Sequence, residues 1–368
     1  MIIGIPREVK TRETRVGIVP GGVRELVKRG HKVFIEQGAG LGAGISDAIY
    51  QESGAQLVKD RQILWRDAEM IIKVKEPIAE EYNLLQSGQI LYTYLHLAAA
   101  AELTDVLVQK KITGIAYETI QLADRSLPLL KPMSEVAGRM SVQVGAQNLQ
   151  RHNGGKGFLL GGVPGVRRGQ VCILGGGVAG INAAKIAIGM GALVTVLDVD
   201  QQRLAYLDDV FGSTVTTMMS NPENISRSVI SADLVISTVL IAGAKAPILV
   251  TREMIAQMEA GSVIVDISID QGGSVEGIRP TTHDNPTFIY EGVLMYGVTN
   301  IPGDVSITST YALTNATLPY ALQLADQGFN RAVSSIPALF AGVNTYQGSV
   351  THKAVAQALN LPFRPLEL

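Results

Sequence analysis

The run Val171-Cys172-Ile173-Leu174-Gly175-Gly176-Gly177-Val178-Ala179-Gly180, an Ala-rich stretch after it, and then Leu193-Val194-Thr195-Val196-Leu197-Asp198 constrain this chain more than any other feature. A short apolar strand, glycines in the pattern G-x-G-x-x-G, a helix and an acid about 20 residues on make a βαβ unit built to hold a dinucleotide. Gly175 permits the tight turn, Gly177 lets the backbone approach a pyrophosphate, and Gly180 lets the helix pack closely on the strand. Val178 and Ala179 open that helix, whose free N–H groups face the phosphates. Asp198, ending the second strand, accepts the ribose hydroxyls of NAD and repels the extra phosphate of NADP. NAD is the expected cofactor.

At 368 residues the chain is long enough for two domains. A net charge of -2 leaves no electrostatic footprint for nucleic acid or an anionic membrane, so the expected partner is a small molecule. The one cysteine, Cys172, sits inside the fingerprint strand, which excludes an internal disulfide and suits a reducing compartment. The start, Met1 to Pro6, has no signal-peptide character, and no uncharged apolar run reaches the roughly 18 residues that span a bilayer. A cytoplasmic location is expected. The apolar fraction of 46% is high enough to suggest a buried subunit interface or a large core.

Apolar, β-branched runs alternate with amphipathic stretches, the signature of parallel α/β construction. Strands are expected at 2–5, 32–36, 70–74, 90–95 and 114–117, with a helix after Pro20. A glycine-punctuated hairpin or linker over 154–165 precedes the fingerprint. The second α/β series continues through 234–239, 263–267 and 288–290. Beyond Asn300 the pattern reads as helices only, 309–326 with a kink at Pro319, and 332–359. The expected fold is α/β with two doubly wound domains. A Rossmann NAD-binding domain over 131–305 is inserted into a discontinuous substrate domain formed by 1–130 and by helices returning from 306–368.

In open parallel sheets ligands bind beyond the carboxyl ends of the strands. Four polar residues hold such positions: Arg15 in the loop after the first strand, Lys75 before Pro77, His96 after an apolar run, and Asp270 before Gln271-Gly272-Gly273. Arginine offers a planar fork for a carboxylate, and lysine holds the same group as a point charge or polarises a carbonyl. Histidine gives and takes protons near neutral pH. That set suits a dehydrogenase of α-amino or α-hydroxy acids. Taken singly, each has an ordinary reading too: Arg15 as surface charge beside Lys10 and Arg12, Lys75 as a solvated cap beside Lys73, His96 as a structural ring, Asp270 as a turn residue.

Several stretches together resemble the alanine dehydrogenase and transhydrogenase family. They are Gly4-Ile5-Pro6-Arg7-Glu8, Lys73-Val74-Lys75-Glu76-Pro77, Leu91-Tyr92-Thr93-Tyr94-Leu95-His96-Leu97, Pro132-Met133-Ser134-Glu135-Val136-Ala137-Gly138-Arg139, the fingerprint, Asp266-Ile267-Ser268-Ile269-Asp270-Gln271-Gly272-Gly273, and Ala312-Leu313-Thr314-Asn315-Ala316-Thr317-Leu318-Pro319. The resemblance runs nearly end to end and implies NAD-dependent, reversible oxidative deamination of L-alanine to pyruvate and ammonium, in a homohexamer. It implies that Arg15 and Lys75 hold the substrate, that His96 is the acid and base, and that Asp270 assists proton transfer. It implies coenzyme contacts at Ser134, Val178, Ala179, Asp198, Arg203, Ser220, Val239, Leu240, Ile267, Arg279, Val298 and Asn300. Ser134 also reads as a helix N-cap.

Two departures stand out. Ser306 and Ile307 replace a proline and an arginine of the family pattern, so the cofactor-side loop is expected to differ. Some relatives hold magnesium on the following helix, where Gln323 and Gln327 are poor ligands for a hard cation, and no metal is expected. Two other functions remain open: the NAD-binding component of a proton-translocating transhydrogenase, and a catalytically silent NAD-sensing module.

Overall fold

The computed structural model describes residues 1–239 and 246–368. The chain forms two compact units, Met1–Met133 with Val305–Leu368, and Ser134–Asp304. In chain order the strands are β1 (Ile2–Ile5), β2 (Lys32–Glu36), β3 (Gln56–Val58), β4 (Met70–Ile72), β5 (Ile90–Thr93) and β6 (Thr113–Ala116). The second unit contributes β7 (Gln170–Leu174), β8 (Leu193–Asp198), β9 (Val215–Met219), β10 (Leu234–Ser237), β11 (Val263–Asp266), β12 (Thr287–Tyr290) and β13 (Val293–Tyr296). The chain ends in β14 (Val343–Tyr346) and β15 (Ser349–Val350).

The first sheet runs β15-β14-β6-β5-β4-β1-β2-β3. From β6 to β3 every pairing is parallel. Strands β4, β5 and β6 are buried along their whole length, because helices cover both faces of a parallel sheet. The chain winds outward from β1 to β3 on one side and from β4 to β6 on the other, so β1 and β4 flank the switch point where loops diverge.

The C-terminal segment differs from the expected helices. In place of one helix over 332–359 there are three, Phe329–Ser335, Pro337–Gly342 and Lys353–Leu359, with the hairpin β14–β15 between the last two. Strand β14 extends the first sheet antiparallel to β6. The turn explains the hairpin: Gln347 and Gly348 both take positive φ, 46° and 80°, which matches the twist of a two-residue connection, and the β-branched run before it favours a strand. Pro337 forces the break between the first two helices.

The second sheet runs β12-β13-β11-β10-β7-β8-β9, parallel except for β12. Its switch point lies between β7 and β10. The helix Val178–Gly189 rises directly from β7, and a Cβ at Gly180 would lie 1.9 Å from the carbonyl oxygen of Gly175, so only glycine fits. No helix of the described residues is long and apolar enough to cross a membrane.

At the opposite end of β7 and β10 sits a buried charge cluster. The Asp233 carboxylate, 1% exposed, accepts from Arg167 at 2.7 and 2.9 Å, lies 2.6 Å from the Lys156 ammonium, and accepts from the Gln170 N–H at 2.8 Å. Burial pushes its pKa up, and these partners outweigh burial, lowering it from 3.8 to about 2. A carboxyl with a depressed folded pKa stabilises fully above its ordinary range and loses that contribution as pH falls toward the folded value. Asp233→Asn should therefore lose roughly 2 kcal/mol at neutral pH, and the gap to wild type should close between about pH 4 and pH 2. Urea midpoints across that window check it; parallel curves would contradict the assignment.

Candidate active site

In the first unit the loops after β1, β4 and β5 carry Arg15, Lys75 and His96. Far from lying on the surface, Arg15 is 2% exposed. Glu13 fixes the plane of its guanidinium, taking Nε at 2.7 Å and Nη2 at 2.5 Å, while Nη1 points at the Met133 sulfur at 3.1 Å. Burial lowers the Arg15 pKa and the Glu13 carboxylate more than restores it, so the cation stays charged. Glu13 is a member of this site that motif spacing did not reveal.

Lys75 is half-buried, and its Nζ pKa is lowered, first by burial and then by the Arg15 charge. An ammonium that gives up its proton more readily than usual next to a permanent cation suits anion binding with some proton mobility. Its neighbour Lys73 is not the solvated charge that its sequence position suggests. It is fully buried, bonding to Glu81 at 2.8 Å and Glu8 at 3.1 Å. Glu8 also accepts from the Val74 N–H at 2.6 Å, which removes that group from the ladder and ends β4 at Ile72, two residues short of expectation. The ion cluster thus holds the backbone from which Lys75 projects.

His96 is exposed, with its ring stacked on Tyr94 at 5.8 Å and 9° between planes. Tyr94 is locked in turn by donation to the Leu129 carbonyl at 2.6 Å. The His96 backbone is left-handed, φ 50° and ψ 36°, a conformation that costs a non-glycine residue roughly 1–2 kcal/mol. Ser306, at one sequence departure, donates its hydroxyl to the Gly42 carbonyl at 2.6 Å, and Ile307 is 57% exposed.

In the second unit the residues fit a dinucleotide. Gly175 takes φ 97°, and a Cβ at Gly177 would meet nothing within 4 Å, leaving the backbone open where a pyrophosphate would approach. Gly177 is the N-cap of Val178–Gly189 and brings no side chain to its N–H groups. The Asp198 carboxylate accepts from Gly176 N at 2.6 Å and Asp200 N at 2.9 Å, which orients it at the strand end, and Ser220 N bonds the Asp198 carbonyl at 2.9 Å. Arg203 donates to the Gly176 carbonyl and lies 5.1 Å over the Tyr206 ring, so it braces the loop.

Asp270 and Ile267 belong to a 3-10 turn, Ile267–Gln271, capped by the buried Asp266 carboxylate, which accepts from Ser268 N and Ser274 N, both at 2.8 Å. Asp270 is exposed, Ile267 and Val239 half-buried. Arg279 lies 4.5 Å over Phe288. Val298 is 1% exposed with its side chain in the core, so it has only main-chain groups to present. Asn300 takes φ 58°. Leu240 lies outside the described residues. Ser134 is not an N-cap: the helix Lys131–Asn148 begins three residues earlier, where Pro132 suits the first turn. The same helix brings Gly138 against Ala179, close enough that a Cβ there would lie 2.1 Å from the Ala179 carbonyl oxygen.

Family models for the N-terminal and C-terminal domains of alanine dehydrogenase/PNT match residues 4–137 and 141–353. The chain belongs to the alanine dehydrogenase/PNT family. An alanine dehydrogenase of Methanococcus maripaludis is 61% identical over 368 residues, covering 100% of this chain and 99% of that protein. A solved L-alanine dehydrogenase superposes with a TM-score of 0.96 at 52% identity, covering 98% of this chain and 99% of the other. A transhydrogenase from Sinorhizobium meliloti gives 0.83 at 25% identity, covering 96% and 100%. Family membership places the Arg15, Lys75 and His96 loops in an N-terminal alanine dehydrogenase/PNT domain and the glycine loop in a C-terminal one.

Proposed function

We propose that this protein is an NAD-dependent alanine dehydrogenase, oxidising L-alanine to pyruvate and ammonium and running in reverse. The observation that carries the assignment is the placement of an oriented guanidinium and a half-buried ammonium on the two loops flanking the β1/β4 switch point, with a histidine on the next loop. Arg15 and Lys75 hold the substrate carboxylate and polarise the adjacent carbon's oxygen or nitrogen. NAD, when bound along Gly175, Gly177 and Asp198, supplies the hydride acceptor. Loss of the Cα hydride from alanine leaves the imine of pyruvate. His96 assists water to add at that carbon and returns a proton to the departing ammonia, with Asp270 assisting transfer. Water enters and ammonium leaves, so atoms and charge balance with one proton released. We further propose a homohexamer, supported by exposed apolar side chains such as Leu159 (64%), Val166 (58%) and Leu193 (53%).

The test is NADH absorbance. Pyruvate with ammonium should drive oxidation of NADH much faster than glyoxylate or 2-oxobutyrate, while NADH binding without ammonium-dependent turnover would replace the enzyme with a sensor. The 61% and 52% identities to alanine dehydrogenases, against 25% to the transhydrogenase, favour the dehydrogenase.

A further inference from the structure

We infer that Glu118 is a positioning residue for His96, holding the histidine in its left-handed backbone conformation; this rests on the proposed acid and base role of His96. Strand β5 ends at Thr93, two residues before the sequence pattern does: Tyr94 N still reaches the Val74 carbonyl at 3.3 Å, and the two donors after it turn away from the ladder. They point at one carboxylate. Glu118 accepts from His96 N at 2.6 Å through Oε1, and from Leu95 N at 3.3 and 3.2 Å through its two oxygens. Glu118 stands in the 3-10 turn Tyr117–Thr119 that follows β6, the strand paired in parallel with β5, so adjacent strand ends are tied together. On the other side Ala99 N donates to the His96 carbonyl at 3.0 Å, and Tyr94 stacks on the ring. A left-handed non-glycine residue persists where its surroundings over-determine it, and charge-assisted bonds to two consecutive N–H groups do that here. Relaxation to an extended backbone would swing the imidazole away from where it is held. Glu118 touches no reacting atom in this scheme, and its effect passes through the main chain.

The experiment is a double-mutant cycle on the full-length protein, with kcat and the dissociation constants of NADH and pyruvate measured for Glu118→Ala, Glu118→Gln, His96→Ala and the pair. Glu118→Ala should lower kcat by thirtyfold or more and leave both dissociation constants within about threefold, since Arg15, Lys75 and the glycine loop are untouched. Glu118→Gln keeps one acceptor oxygen of the same reach and should recover most of the rate. In the His96→Ala background, Glu118→Ala should cost nothing further in residual turnover, because its effect runs through His96. A Glu118→Ala enzyme within threefold of wild type, or the same loss with and without His96, overturns the inference. If Glu118→Ala does not fold, Glu118→Gln and Glu118→Asp decide: a Gln enzyme near wild type with an Asp enzyme tenfold slower supports it, and any other order overturns it. Near-normal kcat in His96→Ala alone would instead remove the proposed function of His96, a separate failure.

Discussion

Replacing His96 with alanine should lower kcat between about a hundredfold and ten-thousandfold, the range that a positioned general acid and base contributes. The imine of pyruvate needs water activated and ammonia protonated at one carbon, and His96 is the exposed titratable ring on the loop beside Lys75. NADH affinity should stay within twofold, because the glycine loop, Asp198 and Arg203 belong to the other unit. Pyruvate affinity should also persist, since Arg15 is set by Glu13 and Lys75 by the Glu8 cluster, neither of which involves His96. Stopped-flow and steady-state assays with pyruvate and ammonium measure the first, fluorescence titration the others. A variant turning over near the wild-type rate would defeat the assignment.

Gly138→Ala should weaken NADH binding tenfold or more and lower the melting temperature, although Gly138 lies outside the nucleotide fingerprint. The added Cβ would approach the Ala179 carbonyl oxygen, carbon and Cα at 2.1, 2.8 and 2.9 Å. All three atoms are backbone, so no rotamer change relieves the overlap, and the first turn of Val178–Gly189 must move. Overpacking of this kind costs about 1–3 kcal/mol, and each 1.4 kcal/mol that falls on coenzyme binding is a factor of ten. Gly177→Ala is the informative contrast. Its Cβ would enter open space within the protein, so it should weaken NADH binding while leaving the melting temperature unchanged. Equal thermal behaviour in the two variants, or unchanged NADH affinity in Gly138→Ala, would refute the distinction.

The coenzyme half of the protein was legible because its signals are local. Strand, glycines, helix and acid follow one another in order, and β8 and the first two strands fall where alternation and β-branching put them. Where expectation and structure part, a distant group has intervened. Strands β4 and β5 stop early because Glu8 and Glu118, 66 and 22 residues away from the groups they bind, take up donors the ladder would have used. Lys73 reads as a solvated end charge and is buried because two acids converge on it from outside its strand. The β14–β15 hairpin has a different reason: the four residues Val343 to Tyr346 before Gln-Gly are too few to show a period of their own, and pairing with β6 decides them.

What the order of residues settled by itself is the kind of molecule: two series of parallel strands, a dinucleotide loop whose glycines answer steric needs within a single βαβ unit, and basic and imidazole groups placed just past strand ends. Periodicity and turn chemistry act over a few residues, so they can be read without knowing the rest of the chain. Only the tertiary structure decided how those groups are held. The plane of Arg15 and the left-handed backbone of His96 depend on carboxylates that the fold orients beside them, and the lowered pKa of Lys75 depends on burial and on the Arg15 charge. Such contacts leave no periodic trace in the sequence, because their energy comes from excluding water around charges that folding alone brings together.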